Sequence, residues 1–382
     1  MKRRYNITMP SSSVQKALAE LDRYAKMNVR HSKDQYAKHG TLHSVAQRAF
    51  HSASSDANDL WRKPWVPWDF DIGDSYSHPV YQSFSEEQQL AWNHLEWAYN
   101  YEVVAAGERQ IIVLNNHAVR QYKDVLPSVV ELETRESFEE VDHVDAFQMG
   151  IQAVYDRYLP NRKREKSFLS SMSSMSPSGF RHQQFNKITR HLTGVMANRL
   201  LGKNFPTLFF LIRTIKTVSF KGMENSIAKF DEAPKELQQL SHLHRLDESR
   251  HQATALKLSK LSNEVLEQSS WESKRLFKLA IHSAWPNNRL LESRMGFWKR
   301  VLFNSEIFAD ISIEHKQSFF THICRSAGQS VRSLHPRQIQ ITQQVTKRAV
   351  TESGLSPEFK QLFVDVLRKD PIHSSLVEAV VL

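Results

Sequence analysis

The sequence is short of glycine and cysteine. Its 382 residues include 11 glycines and one cysteine, Cys324. Because sheet-rich folds use glycine in turns and bulges, this scarcity favours helices. A single cysteine excludes a disulfide within the chain and is typical of a reducing compartment. We therefore expect a helical protein of the cytoplasm.

A long uncharged apolar run is also missing. The most apolar stretch, residues 207–220, is shorter than a membrane-spanning helix and contains Arg213 and Lys216. The N-terminus begins with basic residues but lacks the apolar run of a signal peptide. These features predict neither a membrane span nor a secretion signal.

Motifs for nucleic-acid binding are absent, although the formal net charge is +10. The basic residues are spread along the chain among acidic ones, and no zinc-finger spacing, RNP-type motif or basic zipper occurs. We expect a solvated basic surface and no nucleic-acid partner. An anionic substrate or a carrier protein would also suit such a surface.

Proline and glycine divide the chain into predicted helices. The first helix is expected from Ser12 to Met27 and is followed by polar sequence. Residues 51–84 carry many aromatic residues and few helix signals, and would form either a pocket wall or a pin for an N-terminal arm. Ser85 is a suitable N-cap for a long helix that reaches Tyr122. Further helices are predicted over 129–158, 181–201, 206–230 and 234–263, with a flexible connection over 159–179 and shorter helices from Trp271 onwards.

No alternating strand pattern occurs, so these elements predict an all-α protein. A four-helix bundle would occupy residues 85–265, after an N-terminal arm with an aromatic loop over 1–84. Residues 266–382 would add C-terminal helices that pack on the bundle, so that the chain forms one domain overall.

Three residues of one predicted helix carry the strongest signal for chemistry. His244, Glu248 and His251 are spaced i, i+4 and i+7, which places them within an arc of about 60° on one helix face. Glu248-Ser-Arg-His251 is the Glu-x-x-His motif of ferritin-like di-iron carboxylate proteins. The opposite face carries three charged residues, as either a solvated surface or a layer that supports the ligands would: Arg245, Asp247 and Arg250.

A second Glu-x-x-His motif, Glu140 and His143, lies in an upstream helix. Either copy alone occurs by chance in helical proteins. Two copies on separate helices match what a pseudo-symmetric, ferritin-like bundle with two metal ions requires. Carboxylate oxygen and imidazole nitrogen suit iron, whereas a structural zinc site would favour cysteine.

The remaining two helices of such a bundle must each supply one more glutamate. Glu224 is the candidate on the third helix, because a hairpin between it and Glu248 would bring both to one level. The first helix offers Glu96, Glu102 and Glu108. Glu102 and Glu108 lie on opposing faces, so we expect only one of them inside the bundle. We favour Glu108 and keep Glu102 as the alternative.

The order of these residues resembles the p-aminobenzoate N-oxygenase (AurF-type) family of di-iron oxygenases. The resemblance covers residues 80–265 and rests on the order Glu, Glu-x-x-His, Glu, His-x-x-x-Glu-x-x-His, in which His244 is the additional histidine. The stretch Ser85-Glu-Glu-Gln-Gln-Leu-Ala-Trp also looks like the family. The resemblance implies the following metal ligands: Glu108, Glu140, His143, Glu224, His244, Glu248 and His251.

The resemblance further implies two iron ions that change between Fe2+ and Fe3+, O2 as co-substrate, an external electron donor and a homodimer. The implied reaction is N-oxygenation of an amine of a small metabolite through a peroxo di-iron intermediate. One alternative is di-iron hydroxylation, desaturation or oxidative bond cleavage of an anionic or carrier-bound substrate. A helical interaction protein without enzymatic activity is the other alternative.

Overall fold

The computed structural model describes residues 11–51, 59–68, 75–159, 204–266, 287–328 and 336–368. These ranges contain helices and no β-strand, which confirms the all-α prediction. No helix within them is long and apolar enough to cross a membrane. The predicted helix over 181–201, nearly all of the predicted connection over 159–179, and the chain from Trp271 to residue 286 lie outside the described residues.

Two long antiparallel helix pairs form the core. Helices α1 and α2 and a short helix α3 precede them, and four helices follow them. The two pairs are α4–α5 and α6–α7, and each pair is joined by a tight turn. The bounds of the helices up to the second pair are α1 Ser12–His39, α2 Leu42–His51, α3 Pro79–Gln82, α4 Glu86–Tyr122, α5 Pro127–Tyr158, α6 Asn204–Ala228 and α7 Lys235–Val265.

The outer helices cover this four-helix core. Helices α1 and α2 lie across α5 and α7, while α10 packs on α6. Helix α8 packs against α9, which also contacts α3. The arrangement agrees with the predicted four-helix bundle and its additional terminal helices. The bounds of the C-terminal helices are α8 Asn287–Asn304, α9 Ile313–Gly328, α10 Pro336–Glu352 and α11 Pro357–Leu367.

Helix α4 begins where its sequence signal predicts. The Ser85 hydroxyl accepts a hydrogen bond from the backbone N–H of Gln88, and the Gln88 side chain accepts one from the backbone N–H of Ser85. This capping box satisfies two amide groups that the first turn would otherwise leave without partners.

Helix α1 extends twelve residues beyond the predicted end at Met27, to His39. The sequence after Met27 is polar, which is why it gave no amphipathic signal. The structure gives these polar residues buried partners: Ser32 contacts Glu139, and Gln35 donates a hydrogen bond of 2.8 Å to Asp247. A polar helix face is stable here because it lies on charged groups of the bundle.

A polar layer divides the interior of the bundle at mid-height. Buried apolar side chains form one cluster that includes Trp97 and Phe147, and a second cluster that includes Tyr122 and Phe210. Between the two clusters, the four long helices bury a band of charged side chains rather than apolar ones. Such a band is costly unless its charges are paired or bind a cation. The layer therefore marks the functional part of the fold.

The contact of α4 and α5 requires a glycine at position 150. A Cβ atom there would lie 2.6 Å from Phe50 and 2.6 Å from Trp97. We expect Gly150→Ala to lower the free energy of unfolding by about 1–3 kcal/mol, because these packed rings must move. At Gly107, an exposed position of α4 with nothing within 4 Å of the added Cβ, alanine should instead stabilise the protein by about 0.5–1 kcal/mol. Denaturant unfolding of both variants measures whether the two changes in the free energy of unfolding have opposite signs. Equal changes would contradict this account of the packing.

Candidate metal centre

Two groups of potential metal ligands meet in the polar layer. The first group joins Glu108 of α4, His143 of α5, and His244 and Glu248 of α7. One ligand atom from each of these residues lies within 4.8 Å of the others, and all four side chains are buried. Carboxylate and imidazole groups this close together form a site of the kind that holds a divalent transition metal.

The second group joins Glu140, Glu248 and His251. Glu248 therefore belongs to both groups. The Nδ1 atom of His251 lies 3.0 Å from the Glu248 carboxylate and 3.2 Å from that of Glu140. A carboxylate shared between two ligand groups can bridge two metal ions. The arrangement fits two adjacent ions better than a single one.

Glu224 reaches the same centre through His244. Its carboxylate contacts Nδ1 of His244, while Nε2 of His244 lies 2.7 Å from Glu108. Glu224 stands outside the two groups but is fully buried on α6 at their level. The structure thus brings all seven predicted residues into one buried cluster.

Several atoms of this cluster face one another without a hydrogen bond. Among the described residues, no partner is present for Oε2 of Glu108, Glu140 or Glu224, or for Nδ1 of His143. Buried polar atoms rarely stay unpaired in folded proteins, and each unpaired one asks for an explanation. Metal coordination would satisfy these atoms together, so the residues present fit a metal centre.

The carboxylates dominate the electrostatics of the three histidines. Burial alone would lower the pKa of His143, but its contacts with Asp247, Glu108 and Glu140 raise that pKa well above the ordinary value. The pKa of His244 rises to about 10 because the charges of Glu224 and Glu108 outweigh its burial. The centre therefore strongly favours positive charge, which bound cations would supply.

Each of two histidines is oriented by a carboxylate from the opposite helix. Nε2 of His143 lies 3.2 Å from Asp247, and Nε2 of His251 lies 2.7 Å from Glu139. Both rings therefore direct Nδ1 toward the ligand groups. Hydrogen bonds of this kind fix the tautomer and the direction of a metal-binding imidazole.

Arg250 ties the two orienting carboxylates together. Its guanidinium lies 2.8 Å from Glu139 and 2.6 Å from Asp247. Arg135 adds a contact of 3.2 Å to Glu139. The charge of Arg250 and the bond to His251 outweigh the burial of Glu139 and keep its pKa below the ordinary value. Both carboxylates therefore stay ionised and hold their histidines.

A second arginine enters the layer from α6. The fully buried Arg213 lies 2.8 Å from Glu136 and 2.7 Å from Glu140. Glu133 lies one turn before Glu136 on α5, and neither of its oxygens has a hydrogen-bond partner within the described residues. Burial, followed by the charge of Glu136, raises the pKa of Glu133 well above the ordinary value. The burial of Glu133 therefore favours its neutral form beside the charged pair of Arg213 and Glu136.

The structure places Glu108, rather than Glu102, among the potential ligands. The premise that only one of the two glutamates would be buried was wrong. Glu108 lies in the first ligand group. Glu102 is also buried, with 1% of its surface exposed, and accepts a hydrogen bond of 2.7 Å from the Tyr155 hydroxyl. Both glutamates therefore lie inside, because α4 is covered on more than one side. A buried carboxylate on this helix need not be a metal ligand if a hydroxyl satisfies it.

Of the two roles expected for the opposite face of α7, support of the ligands applies to Asp247 and Arg250. Asp247 is 1% exposed, and the Arg250 side chain is largely buried against it, whereas Arg245 is partly exposed. The sequence held a signal for this arrangement. An acidic residue directly precedes the glutamate of each motif, as Glu139-Glu140 and Asp247-Glu248, and both of these acids orient a histidine.

Arg213, Glu133 and Glu136 were also not predicted. Arg213 stands in the most apolar stretch of the sequence, where it served only as an argument against a membrane span. Its buried partners on α5 are separated from it by more than seventy residues. No local pattern relates residues at that separation.

Comparison with known proteins supports an enzymatic site. Residues 24–204 are similar to the family described as acyl halogenase CylC-like. The matched part is slightly less than half of the chain and includes Glu108, Glu140 and His143, whereas α7 lies outside it. No curated protein and no solved structure matches the chain.

The two glutamates of α4 allow a matched test of the centre. We expect Glu108→Ala to lose bound iron, because it removes an atom from the first ligand group. Glu102→Ala should keep its iron and lose the bond to Tyr155, which costs stability rather than metal. Iron content of the two purified variants, with unfolding curves, provides the measurement. Equal iron loss in both variants would reject the assignment of Glu108.

The orienting role of Asp247 has its own test. Asp247→Asn should weaken iron binding by about 10–100-fold, the usual effect of removing a partner of a ligating histidine. The control is Asp145→Asn, an exposed position on α5 two residues after His143. Competition with a metal-binding dye measures both affinities. If Asp247→Asn and the control bind iron equally well, the 3.2 Å contact to His143 does not support the site.

Proposed function

We propose that this chain is a dinuclear iron enzyme that uses O2 to oxidise a small metabolite. One observation carries the proposal: two buried ligand groups share the Glu248 carboxylate. The donor set is oxygen and nitrogen without sulfur, which suits iron and permits carboxylates to change between terminal and bridging binding. The similarity of residues 24–204 to an acyl halogenase family supports an enzyme rather than a helical interaction protein.

The protein's own residues would hold and insulate the metal pair. Iron bound there would supply the redox chemistry of O2 activation. Asp247 and Glu139 fix the histidine rings, and the apolar clusters above and below the layer exclude water. Within the layer, burial and the charge of Glu136 raise the pKa of Glu133 and favour its neutral form close to the centre. The chain thereby separates the tasks of metal binding, orientation and proton storage.

N-oxygenation of an amine is the first candidate reaction. It is supported by the position of His244, the additional histidine of the AurF-type pattern, between Glu108 and Glu224. Insertion of one oxygen atom of O2 consumes two electrons more than the amine supplies. The proposal therefore includes an external electron donor, and it also includes the homodimer implied by the resemblance.

Oxidation of an acyl chain is the second candidate reaction. The match to the acyl halogenase CylC-like family favours it. An acyl group on an anionic carrier would also suit the formal net charge of +10. This chemistry includes hydroxylation, desaturation and halogenation of the acyl substrate. Halogenation additionally needs a halide ion.

Metal analysis tests the proposed class of enzyme. Protein purified in air should contain about two iron ions per chain and absorb in the near ultraviolet as an oxo-bridged ferric pair does. Glu248→Ala should lose more iron than substitution of any other single ligand, since it belongs to both groups. One zinc ion per chain and no iron would reject the proposal.

Product analysis separates the two candidate reactions. The iron-loaded protein is supplied with O2, a reductant and either an arylamine or an acyl group on a carrier, with and without chloride. Hydroxylamine or nitro products would support the first candidate, and hydroxylated, unsaturated or chlorinated acyl groups the second. Glu108→Ala is the control, because it should abolish either product.

A further inference from the structure

One side of the centre is lined by aromatic rings rather than charges. The Phe147 ring lies edge-on to His244, with centroids 4.8 Å apart. Tyr101 lies 4.5 Å from Phe147, and the charges of Glu224 and Glu108 act on its hydroxyl. Tyr101 and Glu108 are seven residues apart on α4 and therefore share a helix face. Ring contacts thus begin directly at the ligand groups.

Three tryptophans continue these contacts outward. Trp97, one turn before Tyr101 on α4, lies 4.5 Å from the Tyr101 ring. The Trp65 ring lies 5.2 Å from Trp97, and the Trp61 ring lies 5.1 Å from Trp65. Trp97 and Trp65 have no exposed surface, whereas 6% of Trp61 is exposed. The tryptophans therefore form an unbroken row of indoles from the buried centre to the surface.

The outer end of the row carries several basic residues, of which Lys63 is paired with the Asp59 carboxylate. The guanidinium of Arg157 lies 4.9 Å from the centre of the Trp61 ring. Arg62 next to Trp61 is exposed, and Lys63 is partly exposed. A cation above an indole makes that ring harder to oxidise, since it disfavours a second positive charge. An anionic molecule bound at Arg157 would offset this effect.

We infer that Trp97, Trp65 and Trp61 are a one-electron relay between the metal centre and an anionic reductant that binds beside Arg157. The inference rests on the proposed function, because the oxidant is the iron centre after its reaction with O2. Electron transfer weakens steeply with distance, and indoles in near contact divide a long transfer into short ones. When substrate is missing, the relay would return the centre to a less oxidising state without damage to its ligands.

The electron balance of the relay is simple. Trp97 would supply one electron to iron held by the ligand groups and would itself become a radical cation. Trp65 reduces Trp97, Trp61 reduces Trp65, and the external reductant, an anion of the ascorbate class, loses one electron to Trp61. Each indole ends in its starting state. One electron has then moved from the reductant to the iron centre for each passage.

No proton needs to move with this electron. Nε1 of Trp97 has no hydrogen-bond partner among the described residues, and Nε1 of Trp65 donates to the Leu60 carbonyl at 2.8 Å, which is not a base. Both radical cations would therefore keep their protons. Within the part of the chain that the structure describes, the hydroxyl of Tyr101 pairs with that of Ser241, at 2.9 Å, and burial raises its pKa well above 10.0. Tyr101 is consequently a ring contact rather than a radical site.

A second tryptophan pair provides a matched control. Trp92 and Trp298 stack with centroids 3.9 Å apart and are both 1% exposed. Trp92 packs against Phe308 and Phe319 instead of the relay rings. Its separation is shorter than any in the relay, so a general tendency of buried tryptophans to oxidise would affect this pair equally.

A photochemical experiment tests conduction along the row without any iron. A ruthenium polypyridyl complex is attached through Arg62→Cys in full-length protein that carries Cys324→Ser, and is oxidised by flash–quench in air. Mass spectrometry then locates oxygenated tryptophans. Products are expected at Trp61, Trp65 and the fully buried Trp97, and far fewer at Trp298. With Trp65→Phe, oxidation of Trp97 should fall severalfold while that of Trp61 persists.

Variants decide the outcome. Trp298→Phe should leave oxidation of Trp97 unchanged. If Trp65→Phe fails to give a folded helical protein by circular dichroism, Trp61→Phe at the less buried end replaces it and should lower oxidation of both inner rings. Unchanged oxidation of Trp97 in the folded relay variant, or equal oxidation of Trp298 and Trp97, would overturn the relay.

A second measurement connects the row to the centre. Iron-loaded, reduced protein is exposed to O2 without substrate, and oxygenated tryptophans are mapped again. They should form at Trp97 and Trp65, and ascorbate should suppress them, less effectively in Arg157→Gln. Absence of such products in protein that contains iron and consumes O2 would overturn the inference alone. A chain that binds no iron would instead reject the proposed function, while the photochemical result would still report conduction.

Discussion

The structure depends on the burial of many carboxylates in the middle of a helical bundle. An ionised carboxylate removed from water is strongly destabilising unless cations or hydrogen bonds compensate it. Two buried arginines neutralise part of this charge: Arg213 pairs with Glu136 and the ligand Glu140, and Arg250 pairs with Glu139 and Asp247. The remaining negative charge is what raises the pKa of the three histidines. A pair of metal cations would balance this layer, which in turn holds the four helices at a common level. Among the described residues, the buried carboxylates are Glu96, Glu102, Glu108, Glu133, Glu136, Glu139, Glu140, Glu224, Asp247 and Glu248.

Pseudo-symmetry lets the layer use the same acid-to-histidine contact twice. Each Glu-x-x-His motif is preceded by an acid, and each acid crosses to the histidine of the other motif. These two crossed contacts therefore orient both imidazoles and link α5 to α7. Helix α1 lies over the two acids, where Ser32 contacts Glu139 and Gln35 contacts Asp247. A helix whose sequence looks unremarkably polar thus becomes part of the support of the centre.

Helical spacing allowed much of this centre to be predicted, because i, i+3 and i+4 relations are local. His244, Glu248 and His251 share a face for that reason, and Glu224 follows from the length of one hairpin. The errors have equally physical causes. The helical spacing of α4 suggested a single inner face. This helix of 37 residues is covered on several sides, however, and both Glu102 and Glu108 are buried. Contacts such as Arg213 with Glu140 depend on how helices pack, which no local spacing encodes.

The two sides of the centre differ in what they can conduct. Toward α6 and the start of α5, the side is charged, with Arg213 paired to Glu136 and with Glu133, whose pKa is raised by its burial. Toward Phe147 and Trp97, the side is aromatic, where protons have no acceptor but electrons can pass between rings in contact. O2 activation requires both protons and electrons, and delivery of both along one route would allow side reactions. A bundle with a charged half and an aromatic half keeps the two routes apart, with the ligand groups at the boundary where they meet.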